Sequence, residues 1–162
     1  MTSEFVHLHN HSDYSLLDGA QRIDQLVNTI DDLNMDAVAL TEHGNMFSVL
    51  PYYKQAKNAG IKPIIGCEIY VAVGSRFEKK SRSDGGWGNN HLILLAQNFT
   101  GYKNLMKLVT AGYLEGFYYR PRIDMDLLRE YSDGLICMSA CLKGVVPEKM
   151  LKGDYELSLI HI

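Results

Sequence analysis

Short apolar runs typical of β-strands alternate along this chain with segments whose apolar residues have helical spacing. The strand-like runs cover residues 5–9, 37–40, 62–73, 91–97 and 135–139. Between them, helices are predicted from about residues 23, 48, 100 and 124, and the last three have N-cap candidates in Ser48, Thr100 and Asp124. This alternation predicts an α/β protein with a parallel sheet or barrel, in which functional side chains gather where strands end in loops. The runs 62–73 and 91–97 could also pair as an extended hairpin.

Composition narrows the class of protein. The 162 residues are 46% hydrophobic and 22% charged, with a formal net charge of −3, which excludes a disordered tail or a collagen-like repeat. No apolar run approaches the ~20 residues that cross a bilayer, and the first residues lack the features of a secretory signal. A cytoplasmic location without a membrane partner is therefore expected. The cysteines Cys67, Cys137 and Cys141 are odd in number and lack CxxC spacing, which argues against a disulfide framework.

Histidines and carboxylates stand at the ends of three predicted strands. His9 and His11 are two residues apart at the end of the first strand, where a turn could aim both at one ion. His43 directly follows the second strand, and Glu68 lies late in the third. Each alone is typical of a surface histidine or a solvent-facing carboxylate, but their combination favours a metal site. Imidazole suits Zn²⁺, Mn²⁺ or Fe, while carboxylates such as Asp18 and Glu68 can bridge metals.

Four motifs of the chain closely resemble those of the PHP (polymerase and histidinol phosphatase) domain family. They are FVHLHNHSDYSLLDG at residues 5–19, ALTEHGN at 39–45, GIKPIIGCE at 60–68 and HLILLA at 91–96. The segments 101–105, 113–118, 120–124 and 134–141 resemble the branch of the family found at the N-terminus of bacterial DNA polymerase III alpha subunits. The resemblance covers about residues 4–155, so residues 1–155 are expected to belong to a PHP domain and residues 156–162 to form a terminal stub without resemblance to it.

The resemblance implies a distorted (β/α)7 barrel with a trinuclear metal site at the C-terminal ends of its strands. About five of the seven strands would be present here. The implied metal ligands are His9, His11, Asp18, His43, Glu68, His91 and Cys141. An inert thiol or a redox-sensitive thiol remains the alternative for Cys141, whereas Cys67 and Cys137 are expected to be packing residues. His7 and Glu42 are expected to lie outside the ligand set.

The resemblance also implies an activity and its partners. Close divalent ions would lower the pKa of a bound water, orient a phosphodiester and stabilise the leaving oxygen, which is the chemistry of 3′–5′ exonuclease proofreading. Zn²⁺ or Mn²⁺ would occupy this site, and Mg²⁺ would serve polymerisation in the parent protein. Arg120 and Arg122 could contact phosphate by bidentate hydrogen bonds, or could belong to a salt-bridged loop. The implied partners are DNA, deoxynucleotides, the proofreading exonuclease subunit, the sliding clamp and other replicase subunits.

Two other functions stay open at this point. One is a free-standing PHP phosphoesterase for a small monoester such as histidinol phosphate, against which the segment 113–124 and Cys141 argue. The other is an inert, metal-stabilised scaffold. The polymerase palm and the family's last Asp-x-His motif are expected beyond residue 162, and His161 lacks the paired Asp. We therefore expect that the 162 residues alone neither hold the full trinuclear site nor fold as a stable monomer.

Overall fold

A mixed sheet of five strands is the centre of the structure, a computed structural model that describes residues 5–79 and 89–156. The strands are β1 (Ala37–Leu40), β2 (Lys62–Ala72), β3 (Asn89–Ala96), β4 (Arg122–Ile123) and β5 (Leu135–Met138). The helices are α1 (Ile23–Asp32), α2 (Val49–Asn58), α3 (Phe99–Leu114), α4 (Met125–Glu130) and α5 (Val145–Leu151). None of these helices is long and apolar enough to cross a membrane.

The central strand is β2. Strands β1 and β4 both pair parallel with one edge of it, β1 along its first half and β4 along its second. On the other edge β3 runs antiparallel, and β5 pairs antiparallel with β3. The predicted pairing of the two long strands as a hairpin is thus confirmed. The sheet is mixed rather than wholly parallel, and the first residues of β3 lie at the same end of the sheet as the last residues of β2.

Helices cover the outer face of the sheet. There Cys67 and Leu94 pack against Leu105 and Leu108 of α3, as expected for Cys67 as a packing residue. A second cluster joins α1 and α2 to β1, with Tyr52 buried in it. The prediction that Cys137 packs in the core is wrong. Cys137 is exposed, because β5 is an edge strand of the described sheet and only β3 pairs with it.

Several element ends differ from those predicted. The first run is not a strand of the sheet, since only His7 forms an isolated bridge, to Val38. Helix α3 is capped by Asn98, whose side chain accepts a hydrogen bond from the Gly101 N–H at 3.0 Å, rather than by Thr100. Ser48 precedes α2 without a side-chain capping bond. The Asp124 cap of α4 is confirmed by its hydrogen bond from the Leu127 N–H at 3.1 Å.

Two glycines of α3 provide a matched test of this packing. A Cβ on Gly101 would overlap the carbonyl group of Gly134, whereas a Cβ on Gly112 would make ordinary contacts of 3.4–3.5 Å with Pro121. Gly101→Ala is therefore expected to lower the free energy of unfolding by about 1–3 kcal/mol or more. Gly112→Ala is expected to raise it by up to about 1 kcal/mol, because alanine favours the helix. Chemical denaturation measures both, and a neutral Gly101→Ala would contradict the close approach of α3 to the turn before β5.

Candidate metal centre

Side chains from three strands converge at one end of the sheet. His43 follows β1, Glu68 lies in β2, and His91 stands near the start of β3. Because β3 is antiparallel, its first residues pair with the end of β2, and His91 lies opposite Tyr70 in the register. Glu68 and Tyr70 are two residues apart and therefore share one face of β2 with His91. This face is the inner one, opposite the helices.

The N-terminal segment reaches the same place through its attachment to β1. The Asn10 carbonyl accepts hydrogen bonds from the N–H of Thr41 at 2.9 Å and from its hydroxyl at 3.0 Å. The Asn10 side chain in turn donates to the Ala39 carbonyl at 3.1 Å. Asn10 stands between His9 and His11, so these bonds hold both imidazoles beside Glu68.

Three ligand atoms form a compact triangle at this point. The Nε2 atoms of His9 and His11 are 3.0 Å apart, and Oε2 of Glu68 lies 2.7 Å from the first and 3.2 Å from the second. Ligand atoms around one tetrahedral Zn²⁺ are about 3.3 Å apart, given bonds of about 2.0–2.1 Å. A small outward shift of these side chains would therefore admit one ion between them.

A second group uses the other oxygen of the same carboxylate. Oε1 of Glu68 contacts Nδ1 of His91, which lies 3.6 Å from Sγ of Cys141. Cys141 is brought there by the turn after β5, where the Lys143 carbonyl accepts a hydrogen bond from the His91 N–H at 3.0 Å. Glu68 thus belongs to both groups, and its two oxygens face different sets of ligands.

His43 and Asp18 complete the set of predicted ligands. The Nε2 atom of His43 lies 2.9 Å from Oδ2 of Asp18, and its Nδ1 lies 3.4 Å from Oε1 of Glu68. The His43 ring also stacks on His11, with ring centroids 3.9 Å apart. Asp18 therefore contacts the cluster through His43 rather than through Glu68. The structure brings all seven predicted ligands into one region, each in contact with another.

The cluster contains buried polar atoms that suit a cation. Nδ1 of His11, Nδ1 of His43 and Oε1 of Glu68 are buried, and none has a hydrogen bond of normal geometry within the described residues, although Oε1 is in close contact with imidazole nitrogens of His43 and His91. Buried polar atoms are normally paired, because leaving one unpaired costs about 1–3 kcal/mol. Nitrogen, oxygen and sulfur atoms converging in this way are the donor set that Zn²⁺ and related divalent ions prefer. The residues present therefore fit a divalent metal.

The charges of the cluster are consistent with this. Burial alone would raise the pKa of Glu68, but its contacts with His11, His43 and His91 hold that pKa well below its usual range. Burial alone would lower the pKa of His43, yet the close negative charges of Glu68 and Asp18 raise that pKa. The carboxylate is thus ionised and attracts positive charge, which a metal ion would supply in place of protons.

Sequence reasoning missed the role of Glu42. This carboxylate is 1% exposed and accepts hydrogen bonds from the hydroxyls of Ser12 and Ser15 and from the Ser12 N–H at 3.1 Å. The Ser15 hydroxyl accepts another from the His43 N–H at 3.0 Å. The segment so held lies between His11 and Asp18. The two serines three residues apart were the available signal, but nothing local linked them to a residue about thirty positions away.

The two candidate phosphate contacts lie in different surroundings. Arg122 is 2% exposed and donates to the carbonyls of Gly116 at 3.0 Å and Glu78 at 2.9 Å. This burial argues against a phosphate contact by Arg122 and makes it a support of the surrounding loops. Arg120 is exposed, and its guanidinium lies over the Tyr70 ring, 5.7 Å from the centroid. Only Arg120 of the two stays available to a phosphate.

Comparison with known proteins assigns the family. The model of the PHP domain matches residues 7–159. The chain belongs to the PHP domain family. The mixed sheet with outer helices agrees with a partial (β/α)7 barrel of this family, so the predicted fold class is confirmed. The predicted boundary at residue 155 stays a prediction, and residues 157–162 lie outside the described residues.

Curated relatives cover nearly the whole chain. DNA polymerase III subunit alpha of Borreliella burgdorferi is 56% identical over 95% of the chain, and that of Treponema pallidum is 52% identical over 92%. The corresponding protein of Aquifex aeolicus is 51% identical over 90%. The chain spans about 13% of the length of each of these relatives.

Solved structures give weaker similarity. An amidohydrolase from Chromobacterium violaceum is 21% identical, with a TM-score of 0.47 over 65% of this chain and 32% of that one. A two-domain protein from Bacteroides vulgatus, described as containing a predicted PHP-like metal-dependent phosphoesterase, is 20% identical. Its TM-score is 0.49 over 82% of this chain and 33% of that one.

Substitutions of two buried glutamates distinguish a residue that binds metal from one that stabilises the fold around the metal centre. Glu68→Gln is expected to lose metal from both ligand groups, because an amide cannot bridge cations as a carboxylate does. Glu42→Gln is expected to retain more metal but to lower the free energy of unfolding by about 1–3 kcal/mol, since its amide nitrogen cannot accept the serine hydrogen bonds. Elemental analysis and denaturation measure the two effects. Equal metal loss in both variants would mean that negative charge alone retains the ions.

Proposed function

We propose that this chain carries a multinuclear divalent metal centre that hydrolyses phosphodiester bonds, acting as a 3′–5′ exonuclease on DNA. The observation that supports this most is the position of Glu68, whose two oxygens face two different ligand groups. A carboxylate shared in this way is suited to hold two ions close together. Paired ions are the arrangement typical of nucleases and phosphatases.

The proposed ligands divide into three sets. His9, His11 and one oxygen of Glu68 would hold one ion. The other oxygen of Glu68, with His91 and Cys141, would hold a second. His43 and Asp18 would contribute to a third. The thiolate and imidazole ligands favour Zn²⁺, while the carboxylates are also compatible with Mn²⁺.

When bound, such ions lower the pKa of a coordinated water and polarise a phosphoryl oxygen. The chain's own contribution is to hold the ligands and to orient the substrate. Arg120 is the proposed phosphate contact, because its exposed guanidinium lies over Tyr70 and the Tyr70 ring is 5.1 Å from that of His91. An arginine in this place can bind a phosphate by two parallel hydrogen bonds.

The names of the relatives support a further proposal about the full protein. We propose that it is a DNA-directed DNA polymerase of the replicative type, using deoxynucleotides and Mg²⁺. Its proposed partners are DNA, a proofreading exonuclease subunit, a sliding clamp and other replicase subunits, in the cytoplasm. The basis is the identity of 51–56% to proteins named DNA polymerase III subunit alpha. The polymerase site itself would lie outside this chain.

A histidine substitution in the full protein tests the metal centre. The double substitution His9→Ala, His11→Ala is expected to lose about one metal ion per chain and to lower metal-dependent 3′–5′ trimming of single-stranded DNA more than about 100-fold. His7→Ala is the matched control, because His7 lies in the same segment and contacts Phe5 rather than the cluster. Metal per chain and trimming rate are measured on each folded variant.

Each outcome has a distinct meaning. Unchanged metal in the double variant would contradict the ligand assignment for the N-terminal segment. Loss of metal without loss of trimming would contradict the catalytic role and leave the centre as a structural support for the fold.

A further inference from the structure

A tight turn with an unusual conformation lies beside the metal centre. The Arg120 carbonyl accepts a hydrogen bond from the Tyr118 N–H at 3.0 Å, which closes the turn at residues 118–120. Tyr119 stands at its tip with φ of 57° and is 82% exposed. A bulky residue seldom adopts this left-handed conformation, which glycine adopts freely. An aromatic ring held there in solvent, in edge contact with Tyr118 at 4.7 Å, gains little from burial.

The base of the turn is anchored on both sides. The Arg122 guanidinium lies 5.2 Å from the centroid of the Tyr118 ring and donates to the Gly116 carbonyl that precedes the turn. Strand β4 follows the turn directly and pairs with Tyr70 and Val71 of β2. The turn is therefore attached to the strand that carries Glu68, and the ring of Tyr119 is held out from a fixed support.

The ring of Tyr70 connects this turn to the proposed ligands. The Arg120 guanidinium is 5.7 Å from the Tyr70 ring, and the Tyr70 ring is 5.1 Å from that of His91 and 6.3 Å from that of His43. An exposed cation thus stands at the border of the metal centre, and an exposed aromatic ring stands next to it along the chain. A cation beside a stacking surface is how proteins bind single-stranded nucleic acid without reading its sequence.

We propose that the turn 118–120 is a subsite for single-stranded DNA, in which Tyr119 stacks on a base and Arg120 binds a neighbouring phosphate. The subsite rests on the proposed function, because its ligand is the strand whose 3′ end would enter the metal centre. The unfavourable backbone of Tyr119 is consistent with this role, since strained residues persist where function requires their orientation. The subsite would bind a base of the strand, whereas the metal centre would contact only its phosphates.

Photocross-linking locates the base without requiring hydrolysis. A dT oligonucleotide with 5-iodouracil near its 3′ end, and phosphorothioate linkages there to resist cleavage, is irradiated with the full protein. The cross-linked peptide is expected to contain residues 118–120. Tyr119→Ala and Tyr119→Gly are expected to lower this cross-link about 5- to 100-fold, the loss typical of removing one stacked ring. The glycine variant guards against misfolding, because glycine fits the left-handed turn, and its Tm should not fall.

Two further measurements test whether the cross-link reports stacking on Tyr119: a control variant at a distant exposed ring, and a trimming assay that does not use the photoreactive base. Phe99→Ala removes a ring that is 69% exposed at the far end of α3, about 24 Å from the end that leads to the turn, and should leave the cross-link unchanged. Trimming of an unmodified dT oligonucleotide supplies the second measurement. Its KM is expected to rise about 5- to 100-fold in Tyr119→Ala and to return toward the original value in Tyr119→Phe.

The outcomes distinguish this subsite from the proposed function. The absence of a cross-link at residues 118–120, or a cross-link there that persists in both Tyr119→Ala and Tyr119→Gly, would overturn the subsite. So would trimming whose KM is the same in Tyr119→Ala as in the original protein. A cross-link at Tyr119 in a protein that does not trim DNA would support the subsite and contradict the nuclease.

Discussion

A buried carboxylate on the inner face of the sheet determines the arrangement around it. Glu68 is 1% exposed, and an ionised group in such a position is costly unless nearby positive charge compensates it. Imidazoles from three different parts of the chain contact its two oxygens: those of His9, His11, His43 and His91. The N-terminal segment, the loop after β1 and the start of β3 are therefore tied together through one side chain of β2.

The packing on the outer face serves this inner site. Leu105 and Leu108 of α3 are fully buried against β2 and β3, so the two strands that carry Glu68 and His91 cannot slide relative to each other without opening that core. A slip of β3 by one residue against β2 would also turn His91 to the face opposite Glu68. The register of the sheet and the geometry of the cluster are thus set by the same apolar contacts.

The sequence indicated which candidate ligands lie close together better than it predicted the sheet. Strand ends are recognisable from local patterns, so His9, His11, His43 and Glu68 could be grouped by their positions along the chain. The direction of β3 depends on pairing between distant residues, and His91 was identified only through family resemblance. Arg120 and Arg122 look equivalent in sequence, but only Arg122 is buried, and one of the carbonyl groups that hold it, that of Glu78, comes from a segment 44 residues away. The bonds of Glu42 to Ser12 and Ser15 were missed for the same reason.

The hydrogen bonds of Glu42 affect how quickly the metal centre binds its ions. The hydrogen bonds of Glu42 with Ser12 and Ser15 fix the segment between His11 and Asp18 through protein groups alone. That segment therefore loses its conformational entropy when the chain folds, and loses little more when an ion binds. An ion meets donor atoms that are already close to their final separation, as in other preorganised sites. Capture should therefore resemble simple ligand exchange on the ion, with little rearrangement of the backbone.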